Sequence, residues 1–233
     1  MEPHLKNSQE LHKCQKIVDS VIQGYLGMLE RKTLLQQSIM QANSMFSQLE
    51  PNLLNSVKII QDTLYASLLI DIYAWLFDQS KNSSNLSTHK LLEKLNRKDF
   101  KNKLESYYIE PPATIPLGND TDQFWHQQYK SDKLEEFQKI IDDCKKTYNS
   151  FLESEVGKRI KSIRDKLLAH KEGAYSTKDN GHNIGEAINS VEKMRTIVLL
   201  LNQLMQKCSY PIEEMEEAAT KKAELFWQHV LHT

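Results

Sequence analysis

The sequence predicts an all-α fold, and two of its features carry that prediction. Only 7 Gly and 6 Pro are spread over 233 residues, whereas a β-sandwich or barrel needs many turns rich in such residues. Apolar residues also recur three or four positions apart, which is the spacing of one helix face. We therefore expect a helical bundle with a long N-terminal helix. The clearest apolar run is Val57, Ile60, Leu64, Leu68, Ile72 and Trp75.

Composition and charge narrow the class of protein. Hydrophobic residues make up 39% of the chain and charged residues 26%, as in ordinary globular proteins. The most apolar run, residues 64–77, is too short to span a membrane and contains Asp71. Cys14, Cys144 and Cys208 are far apart and odd in number, which fits a reducing compartment better than a disulfide framework. We expect a cytoplasmic protein that does not bind membranes.

We expect one helical domain over residues 1–233. Within it, residues 1–50 are predicted to form an N-terminal helical arm that serves dimerisation, and Gly24 and Gly27 indicate a kink or a close helix contact there. Residues 109–122 are predicted to be an irregular loop, because proline removes helical hydrogen bonds. The breakers in this loop are Pro111, Pro112, Pro116 and Gly118.

Start signals place several helices. Pro51 suits the first position of a helix, and Ser87 suits the N-cap of a short one. Either Asp122 or Asp132 is expected to cap the helix that follows the irregular loop.

Asp71 lies in the most apolar predicted helix, where an unpaired carboxylate would be costly. A position at the solvent-facing edge of that helix would explain it. Pairing with Arg164, or with a neighbour of Arg164, would explain it as well. The sequence leaves both interpretations open.

The stretch of residues 156–172 is the candidate functional segment. At about 100° per residue, Arg164 and His170 fall on the two edges of the apolar side of a helix, while Asp165 points away. Gly173 is suited to end this helix. We therefore expect a packing face with two polar groups at its rim. The apolar side consists of Ile160, Ile163 and Leu167.

This helix is also basic, because its only acid between residues 156 and 171 is Asp165. A basic helix that carries a histidine suits a phosphate-bearing partner, and the net charge of −1 favours a local basic cleft over broad binding of RNA. Amphipathic helices with such edges also serve purely structural roles, so that interpretation stays open. The basic residues are Lys158, Arg159, Lys161, Arg164, Lys166 and Lys171.

Two stretches resemble a known family. The segment from Arg164 through Asp165 to His170 is similar to the Arg-x4–6-His motif of the HEPN superfamily, in the form with five intervening residues. A second stretch resembles the "LFD…NLS…LL" pattern of the abortive-infection AbiU-like branch, and the likeness extends over roughly residues 50–205. That stretch contains Leu76-Phe77-Asp78, Asn85-Leu86-Ser87 and Leu91-Leu92.

The resemblance implies a toxin-type endoribonuclease of phage defence that acts as a homodimer without metal or other cofactor. It implies that His170 transfers a proton, that Arg164 holds the phosphate, and that Asp165 orients one of them. A nearby-encoded antitoxin is an implied partner. Among the basic residues, those expected to contact RNA are Lys161, Lys166 and Lys171.

The sequence shows no arrangement typical of a metal site, since its histidines and cysteines lack ligand spacing. A second interpretation keeps the fold and drops the chemistry. It describes a non-catalytic HEPN-like helical module that binds a nucleotide or a protein.

Overall fold

The computed structural model describes residues 3–45, 50–77, 87–111, 120–169 and 184–232, with side chains for residues 9–41, 50–77, 87–111, 123–162 and 184–231. Within these residues the chain is helical and contains no strand, which confirms the predicted all-α class. The described elements are α1 (Pro3–Met45), α2 (Pro51–Ile72), a π-helical turn (Tyr73–Phe77), α3 (Thr88–Asn96), α4 (Lys98–Tyr108), α5 (Asp120–Glu153), α6 (Glu155–Ala169), α7 (Ile184–Gln206) and α8 (Ile212–His232).

One hydrophobic core draws side chains from every described helix. Helix α1 runs through it, and Cys14, Val18, Val21, Tyr25 and Met28 are all fully buried. Helices α2, α7 and α8 pack against α1. The segment predicted as an arm is thus part of the bundle of one chain, and its role in dimerisation stays a prediction.

Gly24 of α1 lies against Trp75 of the π-helical turn. A Cβ atom on Gly24 would lie 2.1 Å from Cε2 of Trp75, which is closer than any side chain tolerates. The indole therefore lies directly on the helix backbone. Of the two interpretations of this glycine, a kink or a close contact, the structure supports the close contact.

Several predicted helix starts are observed and one is wrong. Pro51 begins α2, and the Ser87 hydroxyl accepts the Lys90 N–H at the start of α3. Helix α5 already begins at Asp120, so the last three residues of the predicted loop are helical, and Asp122 and Asp132 lie inside α5 instead of capping it. The polar stretch before the apolar residues of α5 contains no Gly or Pro, so nothing in it interrupts a helix.

A helix that crosses a membrane has to be long and apolar. Among the helices that the structure describes, none has that combination of length and apolar character.

Candidate active site

Helix α6, which contains Arg164 and Asp165 of the predicted Arg-Asp-x4-His motif, begins directly after α5. The Ser154 hydroxyl accepts the Gly157 N–H at 3.0 Å and donates to the Phe151 carbonyl at 2.7 Å. One serine therefore both caps α6 and ties it to the last turn of α5. This junction fixes where α6 starts relative to the core.

Gly157 brings α6 into backbone contact with its surroundings. A Cβ atom on this residue would lie 2.3 Å from the carbonyl oxygen of Phe151 and 3.3 Å from Cζ of Phe77. Ile160, one turn further along, is fully buried. The first half of α6 therefore has the packing face that the helical wheel predicted for Ile160.

The π-helical turn on which α6 rests is held by a hydrogen-bonded side chain. The Tyr148 hydroxyl donates to the Leu76 carbonyl at 2.8 Å, and His89 Nδ1 lies 3.0 Å from the same hydroxyl. Because the hydroxyl proton is used on Leu76, Nδ1 of His89 has to be the donor in the second bond. Burial, and secondarily the charge of Glu93, raises the pKa of Tyr148, so the phenol stays protonated as a donor.

An ion pair joins α6 to the start of α7. The Arg159 guanidinium donates to both carboxylate oxygens of Glu186, with Nε 3.3 Å from Oε2. Lys158 likewise pairs with Glu155 at 2.7 Å. Arg159 and Lys158 thus each pair with an acid that lies outside residues 156–171. The excess positive charge of the helix is therefore smaller than the sequence predicted. Lys161 is exposed.

The described residues contain only part of the predicted site. Arg164, Asp165 and Lys166 belong to α6, and Arg164 follows the buried Ile160 by four positions, so both stand on the same side of that helix. The side chains of these three residues lie outside the described ones, and so do His170 and Lys171 altogether. Their catalytic and RNA-binding roles therefore stay predictions.

Asp71 forms an ion pair with Arg31 of α1, with a 2.6 Å distance between Nη1 and Oδ2. Its side chain is 27% exposed, so Asp71 is neither fully buried nor at a fully solvent-facing edge of the helix. Burial raises the pKa of Asp71, and the charge of Arg31 opposes that shift. The two charged groups are in contact, but the buried Oδ2 of Asp71 accepts no hydrogen bond from the described residues. The observed partner is thus Arg31, whereas the side chain of Arg164 lies outside the described residues.

A protein metal site usually needs three or four ligand side chains close together. Within the described part of the chain, no group of three or more His, Cys, Asp or Glu residues is arranged to hold an ion. Metal independence of any activity stays a prediction.

Sequence reasoning missed the residues that anchor α6. Ser154 could have been found, because a serine before Glu155 is a typical N-cap signal. Tyr148 bonds to Leu76, which is distant in sequence, so its role carries no local signal. The partner of Arg159, Glu186, is distant in sequence and carries no local signal.

Comparison with known proteins gives one match. The sequence model of the HEPN domain family AbiU2 matches residues 12–226, a range that extends from α1 to α8 and includes both stretches described above. No curated protein and no solved structure matches the chain.

Proposed function

Because this chain belongs to the AbiU2 family of HEPN domains, we propose that it is a metal-independent endoribonuclease of the abortive-infection type. The observation that carries the proposal is the family match over residues 12–226, which includes the whole Arg-Asp-x4-His segment. Phage defence, a toxin role and action in the cytoplasm are parts of the same proposal.

The proposed reaction is an intramolecular transesterification of a phosphodiester in the RNA strand. The ribose 2′-oxygen attacks the adjacent phosphorus, the bond from phosphorus to the 5′-oxygen breaks, and the products are a 2′,3′-cyclic phosphate and a 5′-hydroxyl. His170 moves the proton, since the ordinary pKa of histidine is close to neutrality. Arg164 binds the phosphate and stabilises the negative charge that accumulates in the transition state. Asp165 orients one of these two groups.

The anchoring of α6 supports this assignment. Ser154, Gly157 and Arg159 fix the helix to α5, the π-helical turn and α7. A side chain on a rigid helix is positioned more accurately than one on a loop, and catalysis depends on such accuracy. The exposed Lys161, together with Lys166 and Lys171, would contact the RNA backbone near that helix.

We further propose that two copies of the chain form the active unit. In a symmetric dimer the same surface of each copy meets its counterpart, so two Arg164/His170 pairs would line one cleft. An antitoxin encoded nearby would then act by covering this cleft or by binding the RNA-contacting lysines.

Cleavage of purified cellular RNA in the presence of EDTA tests the proposal. We expect fragments that end in a 2′,3′-cyclic phosphate, and a mass in light scattering of twice the 27.1 kDa of one chain. Activity that is lost in EDTA and restored by magnesium would contradict the mechanism. A mass near 27.1 kDa at micromolar concentration would contradict the shared cleft. RNA that is bound and left intact would support the non-catalytic binding module instead.

A further inference from the structure

A cavity of about 460 Å³ lies between α4, α5, the end of α7 and the start of α8. It is remote from the motif helix. Glu186, which contacts α6, stands near the start of α7, whereas Gln203 of the cavity wall stands near its end. At ~1.5 Å per residue, these two positions are roughly 25 Å apart along the helix axis. A ligand bound in this cavity would not touch Arg164 or its neighbours.

Lys207 at the rim of the cavity has an unusual backbone conformation. Its φ is +55°, and among the described residues it is the one non-glycine residue with a positive φ. Glycine and asparagine are the residues that ordinarily end helices in this conformation. A lysine there is strained, and such residues cluster at ligand-binding sites. Its side chain reaches back over the Tyr107 ring, 4.4 Å from the centroid, and donates to the Glu110 carbonyl at 3.0 Å.

A second lysine, Lys133 of α5, also lines the cavity. Its Nζ lies 5.7 Å from the Tyr108 ring centroid and pairs with Glu136. The Glu136 carboxylate also accepts from Gln203 at 2.6 Å and from the Tyr108 hydroxyl. Burial alone would raise the pKa of Glu136, yet these donors hold it below its usual range. The Glu136 carboxylate thus already accepts hydrogen bonds from several donors.

The other acid of the wall is matched as well. Glu213 pairs with Arg195 of α7 at 2.8 Å. Lys207, in contrast, donates to an uncharged backbone carbonyl. Desolvation lowers the pKa of Lys207; Glu110 opposes this shift, and the positive charge of Lys133 adds to it. Lys207 and Lys133 line the same cavity, so an anion bound there would interact favourably with both positive charges.

Aromatic rings also line the cavity, beside the polar Gln203, Cys208 and Ser209. Tyr108, Tyr129 and Tyr210 line the cavity together with Leu199. Small-molecule sites are cavities of this size, with mostly apolar or aromatic walls and a few convergent polar groups. From the two lysines and the three rings, we propose that this cavity binds a small organic anion that carries a flat ring. Its charged group lies between Lys207 and Lys133, and its ring packs on the tyrosines.

Titration calorimetry of the full-length protein with phenyl phosphate tests this inference. Inorganic phosphate and phenol are the two comparison probes, since each carries one half of the recognised chemistry. We expect phenyl phosphate to bind at least about tenfold more tightly than either probe. Phenyl phosphate that binds no more tightly than inorganic phosphate would overturn the proposal, because the rings would then have no part in recognition.

Lys207→Asn is the decisive variant, because asparagine tolerates the left-handed conformation and the chain should still fold. We expect its affinity for phenyl phosphate to fall about tenfold or more with an unchanged unfolding midpoint, whereas Lys139→Gln, an exposed change on α5, binds as the unmodified chain does. Unchanged binding by Lys207→Asn would refute the site. His170→Ala should bind phenyl phosphate normally whether or not RNA cleavage occurs. Loss of binding in that variant would place the ligand at the motif helix and overturn the inference.

Discussion

Gly157 of α6 and Phe151 of α5 approach each other so closely that no side chain fits between them. A methyl group on Gly157 would lie 2.3 Å from the Phe151 carbonyl oxygen. Because a backbone atom is the obstacle, the contact can be relieved only by moving one helix away from the other. The position of α6, and with it that of Arg164, thus depends on a glycine at residue 157.

Gly157→Ala should therefore lower the free energy of unfolding and displace α6. Overpacking of this kind costs about 1–3 kcal/mol, which exceeds the ~1 kcal/mol that alanine gains over glycine in a helix. Urea denaturation measures the stability, and RNA cleavage measures the displacement. A variant that is as stable as the unmodified chain would show that α6 can shift without cost, and the contact would then not position the motif.

The glycine pair of α1 gives a matched comparison. Gly24→Ala should destabilise the fold by about 1–3 kcal/mol, because its methyl group would meet the rigid indole of Trp75 at 2.1 Å. Gly27→Ala would meet Nη1 of Arg31, the end of a flexible side chain, at 3.2 Å, and a shift of a few tenths of an ångström would relieve the contact. This variant should therefore be neutral or stabilising by up to ~1 kcal/mol. Thermal unfolding of the two variants in parallel decides the matter. Equal effects would mean that the Trp75 contact does not hold the π-helical turn on α1.

The helices of this chain are readable from the sequence because their apolar spacing and start signals act locally. Pro51 and Ser87 start the helices that they were predicted to start. The prediction was wrong at the start of α5, where Asp122 or Asp132 was expected to cap a helix that already begins at Asp120. Residues 123–132 are largely exposed, yet they are helical. Exposure and helix propensity are separate properties. A polar stretch of sequence can therefore be either an exposed helix or a loop.

The candidate site was readable only in part. The family resemblance and the wheel identified α6, and the buried Ile160 agrees with them. The pairs that fix the site are formed between distant segments, as in Arg31 with Asp71 and Arg159 with Glu186. Such pairs follow from helix packing, which the spacing of residues along one helix does not determine.

Asp71 should make stability depend on pH. Burial raises its pKa above the ordinary 3.8, and Arg31 opposes that shift. The folded protein then binds the proton more tightly than the unfolded chain, so the stability contributed by the neutral form is present below pH 3.8 and is lost as pH rises through the raised pKa. Relative to Asp71→Asn, the unmodified chain should therefore become less stable as pH increases through this interval.

Urea denaturation of both proteins at acidic and at neutral pH measures this dependence. The Arg31 side chain is 41% exposed and can be hydrated when its partner is neutral. The free energy of unfolding of Asp71→Asn should therefore lie within about 1 kcal/mol of that of the unmodified chain at pH 7. A difference that grows in favour of the unmodified chain as pH rises would mean that the ion pair outweighs the cost of burial.

Arg164→Lys separates charge from geometry at the proposed phosphate contact. Lysine keeps the positive charge but cannot make the planar two-point contact to a phosphate. We expect RNA cleavage that is weaker than in the unmodified chain and stronger than in Arg164→Ala. If lysine restores the full rate, Arg164 acts only as a point charge.

The central claim, that the Arg-Asp-x4-His motif cleaves RNA, is tested most directly by the cleavage rate of His170→Ala in EDTA. Lys158→Ala is the matched control, because Lys158 is an exposed residue of α6 that pairs with Glu155. We predict that His170→Ala loses at least about 100-fold in rate while its stability changes by less than about 1 kcal/mol, and that Lys158→Ala retains its activity. A folded His170→Ala protein that cleaves RNA at the unmodified rate would contradict the claim.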